Sequence, residues 1–171
     1  MIGGYETFDR KLQKHTRISN FSHLSNKENI WIGDHAFIGH FNYIDGYQKV
    51  HIGDGTQITN HISILTHSSH NAIRLYGDQY ATSTELTEGI VSGEVYIGDY
   101  TFIGPNSTIM PGTSIGKGSI VSAHSYVEGQ FPENSILRGQ PAKVVGSTID
   151  IDKSLLEEYP ELKNSYYNRN S

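Results

Sequence analysis

The stretch IGDYTFIGPNSTIMPGTSIGKGSIVSAHSYV, Ile97 to Val127, decides how this chain is read. Ile97, Ile103, Ile109, Ile115, Val121 and Val127 recur every six residues without a slip. Small or turn-forming residues fill the gaps: Gly98-Asp99, Gly104-Pro105-Asn106, Pro111-Gly112, Gly116-Lys117-Gly118 and Ser122-Ala123. A helix spaces its apolar residues by 3.6, and a flat strand by 2. One aliphatic residue and one glycine-rich corner per six residues fit a coil of short strands instead. Each strand supplies an inward anchor, and each corner needs residues that accept positive φ. The hexapeptide period is a signature of the parallel β-helix.

The same period runs backward through the chain. Ile32, Ile38 and Ile44 are spaced by six, as are Ile52, Ile58 and Ile64, and Ile18 with Leu24. The steps from Leu24 to Ile32 and from Ile44 to Ile52 are eight, and both end in the same phrase, Ile-Gly-Asp. That phrase returns at Ile97-Gly98-Asp99 and, altered, at Ile115-Gly116-Lys117. Three anchors per turn predict about five triangular coils, anchored at 18/24/32, 38/44/52, 58/64/97, 103/109/115 and 121/127/136. At roughly 4.8 Å per rung, five rungs stand about 24 Å tall. Between Ile64 and Ile97 the chain spends 33 positions where six suffice, so residues 67–94 must leave the prism as an excursion loop.

The chain in order then reads as an N-terminal cap (1–17), a β-helix domain (18–146) and a C-terminal helix with a tail (147–171). A cap is required because a terminal rung exposes unpaired strand edges; an irregular or briefly helical segment is expected there. Residues 150–164 read as helical, with Asp150 or Asp152 as cap, Leu155 and Leu156 on the apolar side, and Pro160 as the interruption. The tail from Asn164 is expected to fray.

Composition agrees and excludes some classes. Only 36% of the 171 residues are hydrophobic, enough for a narrow prism with one anchor per unit. The chain has no cysteine, which removes disulfides, thiolate zinc sites and a cysteine nucleophile and suits a cytoplasmic setting. A net charge of −5 argues against a nucleic-acid partner. The first fifteen residues lack the apolar core of a signal peptide, and no apolar run is long enough to span a membrane.

Chemistry is expected where the regular pattern breaks. The excursion opens with Thr66-His67-Ser68-Ser69-His70. A neutral imidazole at the prism corner suits proton abstraction from an alcohol near neutral pH, which makes His67 the catalytic candidate. The plainer reading of both histidines is a hydrogen bond tying the loop to the prism, and it is preferred for His70. Arg74, Tyr76 and Tyr80 follow, residue types that stack on and hydrogen-bond to sugars, although eleven tyrosines dilute that signal.

The hexapeptide tract, the Thr-His-x-x-His phrase at the excursion's root and Gly139-Gln140-Pro141-Ala142-Lys143 together resemble the left-handed β-helix acyltransferases. The resemblance is to the group of galactoside, maltose and nodulation-factor O-acetyltransferases and streptogramin acetyltransferases. It covers residues 18–146 and implies a left-handed winding, against the usual right-handed rule for parallel crossovers. It implies a polysaccharide-pathway homotrimer with active sites between subunits, acetyl-CoA as co-substrate and no metal. It implies His67 as the general base, and an oxyanion held by a backbone N–H. On the acceptor side it points to Asn42, with Asp45, His70, Arg74 and Tyr80 as further candidates. The alternative for Asn42 is a corner residue with positive φ, and for Asp45 a turn cap or an orienter of the base. On the coenzyme side it points to Phe102, Gly104, Ser122, Ala123, Arg138 and Lys143. Phe102 stands where many relatives have tryptophan, and His124 where many have glycine.

Three other functions compete. N-acetylation of an amino sugar is the nearest. A metal lyase resembling γ-class carbonic anhydrase would draw on His35 and His40, but needs a third histidine one to two coils upstream, and none is expected to serve. A non-catalytic scaffold leaves the histidine-bearing excursion without a purpose.

Overall fold

Each hexad anchor points inward because a two-residue strand is followed at once by a corner, and the corner turns the next strand through one side of a triangle. The computed structural model describes residues 1–7, 9–83 and 85–170. Its strands stack into three faces. Face A carries Leu12–Ile18, Phe37–Ile38, Gln57–Ile58, Phe102–Ile103, Ile120–Val121 and Ser135–Gly139. Face B carries His23–Ser25, Tyr43–Asp45, Ser63–Ile64, Thr108–Ile109 and Tyr126–Val127. Face C carries Ile30–Ile32, Val50–Ile52, Val95–Ile97, Ser114–Ile115 and Gln130–Phe131. All of these neighbours pair in parallel.

The register stacks like on like. Ile18, Ile38, Ile58, Ile103, Val121 and Leu137 form one column on face A. Leu24, Ile44, Ile64, Ile109 and Val127 form the column on face B. Ile32, Ile52, Ile97, Ile115 and Phe131 form the column on face C. Most of these anchors are fully buried and belong to one continuous core. The expected anchor Ile136 is corrected by this register. Phe131 closes its coil after a step of four from Val127, and Leu137, wholly buried, faces inward where Ile136 does not. The turn through Gly129, at φ 124°, shortens that side of the triangle.

Buried hydroxyls tie one corner to the next. Thr16 Oγ1 donates to Gly33 O at 2.6 Å, Thr56 Oγ1 to Gly98 O at 3.0 Å, and Ser107 Oγ to Ser122 O at 3.1 Å. The Ile-Gly phrase has a steric cause: a Cβ on Gly98 would stand 2.4 Å from Lys117 N in the next rung.

The ends differ from expectation. The first eighteen residues hold an antiparallel hairpin, Ile2–Glu6 against Leu12–Ile18, rather than an irregular or helical lid. It extends face A, so the terminal edge pairs with the chain's own backbone. At the other end Ala142–Ser147 folds back antiparallel onto Ser135–Gly139. The helix Thr148–Glu158 is capped by Ser147, whose side chain accepts from Ile149 N, and not by Asp150 or Asp152. Pro160 does interrupt it, but the tail expected to fray forms a second helix, Lys163–Asn170. No described helix is long and apolar enough to cross a membrane.

Candidate active site

The excursion leaves the prism at the edge between faces B and C. Its base is closed by an antiparallel pair, His67–Ser68 with Val91–Ser92, and it carries two short helices, His70–Tyr76 and Asp78–Thr82. His67 is therefore held by the rung beneath it and by its own return strand. Its side chain is 38% exposed. Nδ1 lies 2.6 Å from Asp45 Oδ2, and the Tyr47 ring packs on the imidazole at 4.5 Å between centroids.

Asp45 comes from the rung below, 22 positions earlier, at the end of the strand Tyr43–Asp45. The chain passes close beneath it at Gly46, where a Cβ would stand 2.4 Å from Asn26 O. The Asp45 side chain is 3% exposed. Oδ1 accepts from Tyr47 N at 3.1 Å and from Ser25 Oγ at 3.4 Å. Oδ2 accepts from Thr66 N at 3.2 Å as well as facing His67. Burial works against the charge. The hydrogen bonds from His67, Thr66 N and Tyr47 N, together with the charge of a protonated His67, outweigh it and hold the carboxyl below its usual range. An ionised carboxylate at Nδ1 selects the tautomer with hydrogen on Nδ1 and leaves the Nε2 lone pair free for a proton.

These contacts correct two substrate-binding assignments. Asp45 is buried and both carboxylate oxygens are engaged by Tyr47 N, Thr66 N and His67 Nδ1, which leaves neither open to an acceptor. Asn42 is buried too, at 2% exposed. Its Nδ2 donates to Thr59 O at 2.8 Å and its Oδ1 accepts from Ile62 N at 2.8 Å, which stitches two rungs of the edge between faces A and B. The positive φ expected of Asn42 belongs to Phe41, at 60°. On the excursion, His70 Nδ1 meets Ser68 Oγ at 2.8 Å, and Arg74 bonds to His70 O and Asn71 Oδ1 along its own helix. Both are exposed, and Tyr80 is half-buried. Tyr47 was missed by sequence reasoning. Its only signal was its place two residues after Asp45, in a coil with a step of eight.

The coenzyme-side residues gather elsewhere, on face A and its edge toward face B. Phe102 is exposed on the outer side of face A. Gly104 is buried, and its Cβ would stand 2.6 Å from Ala123 N, so stacking alone demands glycine there. Ser122 Oγ accepts from Arg138 Nε at 3.4 Å, and Ala123 and His124 are exposed at the same corner. Arg138 and Lys143 are direct cross-strand partners in the terminal hairpin. Among the described residues neither has a carboxylate partner. Like charges placed opposite one another are unfavourable unless an anion lies between them, so this pair is suited to an anion.

The two histidines considered for a metal lyase are apart. His40 Nδ1 meets Ser19 Oγ at 2.6 Å on the edge between faces A and B, whereas His35 stands on the edge between faces C and A, beside His15. A histidine one rung earlier, His15, stacks on His35, but with His40 on another edge the three do not converge on one site.

Comparison with known proteins agrees with this architecture. Residues 94–129 match the family model "Bacterial transferase hexapeptide (six repeats)". The chain is 31% identical over 118 residues to a putative lipopolysaccharide biosynthesis O-acetyl transferase, WbbJ, of Escherichia coli, covering 68% of this chain and 59% of that protein. It is 32% identical over 135 residues to the galactoside O-acetyltransferase of the same organism, covering 77% and 60%. The chain thus spans about three fifths of the length of these two relatives. Among solved structures, a hexapeptide-repeat acetyltransferase from Vibrio cholerae complexed with acetyl coenzyme A superposes with a TM-score of 0.67 at 26% identity, covering 77% of this chain and 67% of that one. A galactoside acetyltransferase in complex with coenzyme A gives 0.65 at 25%, covering 81% and 65%. In sequence and fold the chain is thus similar to the hexapeptide-repeat acetyltransferases, with the bacterial-transferase hexapeptide tract at residues 94–129.

Proposed function

We propose that this protein is an acetyl-CoA-dependent O-acetyltransferase acting on a sugar hydroxyl, with His67 as general base and Asp45 as its positioning partner. The observation that carries the reading is the 2.6 Å contact between Nδ1 of His67 and the buried Asp45 carboxylate, at the root of the excursion. Acetyl-CoA supplies the activated acyl group as a thioester. His67 Nε2 takes the hydroxyl proton as the acceptor oxygen attacks the thioester carbon. The new C–O bond forms, the C–S bond breaks, and the imidazolium returns its proton to the departing sulfur. Asp45 supports the imidazolium that forms between these transfers. Tyr47, His70, Arg74 and Tyr80 surround His67 or line the excursion and supply the polar and aromatic groups for a sugar.

Arg138 and Lys143 are assigned to coenzyme phosphates, with Phe102, Ser122 and Ala123 along the pantetheine path. This assignment supports a homotrimer. His67 stands on the edge between faces B and C, whereas the coenzyme groove follows face A toward face B. On one prism the two lie along different edges, and a neighbouring copy can supply the second wall. Ile73 and Leu75, exposed on the excursion, are suited to that contact.

The test is thiol release from acetyl-CoA with a panel of sugars, amino sugars among them. Release only with hydroxyl acceptors, reduced at least about a hundredfold in His67→Ala, is the expected result. Acetylation confined to amines would replace the reading with N-acyl transfer, and full turnover in His67→Ala would remove His67 as base.

A further inference from the structure

A second group of titratable side chains stands on the third edge of the prism, between faces C and A, apart from both the His67 edge and the coenzyme edge. His15 Nδ1 lies 3.0 Å from Asp34 Oδ2, and His35 Nε2 lies 3.9 Å from the same oxygen. The ligand atoms of all three residues fall within 4.8 Å of one another. The two imidazoles stack at 4.4 Å, 8° from parallel.

The carboxylate is already aimed. Asp34 Oδ1 accepts from His15 N at 2.8 Å and from His35 N at 3.0 Å, which turns Oδ2 toward the rings. The two sibling phrases show that this backbone duty needs no histidine. Asp54 Oδ1 accepts from Asp34 N at 2.8 Å, and Asp99 Oδ1 from Asp54 N at 2.9 Å. The residues that follow them are Gly55 and Tyr100. Only at the first of the three phrases do imidazoles flank the carboxylate, with one nitrogen of each ring toward Asp34 Oδ2.

We propose that His15, Asp34 and His35 form a surface site for a transition-metal dication of the Zn²⁺ class, with His15 Nδ1, Asp34 Oδ2 and His35 Nε2 as ligands and water completing the shell. A tetrahedral ion with bonds of about 2.0–2.1 Å holds its ligand atoms roughly 3.3 Å apart, between the two separations found here. Both histidine side chains are mostly exposed, 59% and 66%, so a small rotation of each ring admits the ion between them. Two imidazole donors favour Zn²⁺, Ni²⁺ or Cu²⁺ over Mg²⁺ or Ca²⁺, which prefer all-oxygen shells. Because His15 belongs to the end hairpin and Asp34 and His35 to the first complete coil, the ion would staple the terminal rung to the prism.

The experiment is calorimetric titration of tag-free, chelator-stripped full-length protein with Zn²⁺, and with Co²⁺ followed by its visible absorption. One saturable site per chain is expected, weakened at least about tenfold in His15→Gln and in His35→Gln, since losing a ligand costs no less than losing an outer-shell partner. His40→Gln, an exposed imidazole outside the group, should bind as the parent does. Melting curves taken in chelator show that each variant is folded. Absence of a saturable site, or an affinity unchanged in either cluster variant, overturns the proposal.

Discussion

Asp45→Asn separates positioning from packing more sharply than any other change. Each carboxylate oxygen of Asp45 accepts a backbone N–H, Oδ1 from Tyr47 at 3.1 Å and Oδ2 from Thr66 at 3.2 Å. An asparagine has one acceptor oxygen and an amide that only donates. Whichever way it is turned, its NH₂ faces a backbone donor. With NH₂ toward Tyr47, the imidazole keeps a neutral acceptor and loses the charge assistance, worth about 1 kcal/mol or somewhat more, near tenfold in rate. With NH₂ toward Thr66, Nδ1 must accept, the hydrogen moves to Nε2, and the base is disabled. Turnover is therefore expected to fall at least about tenfold, toward the roughly 10²–10⁴ of losing a general base outright. Stability should fall by about 1–3 kcal/mol, the penalty of one unsatisfied buried donor. The assay is initial-rate thiol release at saturating acetyl-CoA, paired with urea denaturation. A double-mutant cycle adds the readout that packing cannot mimic: once His67 is alanine, adding Asp45→Asn should leave residual turnover unchanged. Turnover equal to the parent in Asp45→Asn, or additive losses in the double variant, refutes the positioning role.

Four further outcomes are expected. Arg138→Ala and Lys143→Ala should each raise the KM for acetyl-CoA about five- to a hundredfold with kcat little changed, the worth of one or two charge-assisted bonds; an unchanged KM would place the phosphates elsewhere. The Asp45 carboxyl lies below its usual range in the fold, so its contribution is complete above the unfolded value near 3.9 and is lost as pH falls through the folded value. Urea midpoints should decline across that acid window in the parent, and less steeply in Asp45→Asn. Ile109→Ala empties a wholly buried position and should cost about 2–5 kcal/mol by urea denaturation. Gly104→Ala drives a Cβ to 2.6 Å from Ala123 N and should cost about 1–3 kcal/mol even without coenzyme present; a neutral effect would mean the corner can shift.

The six-residue meter of Ile97 to Val127 by itself determined the three-sided coil, its core and the point where the chain leaves it. A repeat period depends only on spacing along the chain, and each anchor meets its equivalents one turn away whatever the corners do. The root of the excursion was legible for the same reason, as the one long break in that meter. The partners of the corner residues were not. Asp45 meets His67, and His15 meets Asp34 and His35, across 19 to 22 positions, because a coil brings together residues one turn apart. Which of them face one another depends on the length of each corner, and steps of eight and four interrupt the six. Asn42 illustrates the limit: its residue type suited an acceptor, but the rung stacking turned it inward onto Thr59 and Ile62. Only the tertiary structure decided that Asp45 is buried against the His67 imidazole, because burial and direction are properties of the stacked rungs and not of the local sequence.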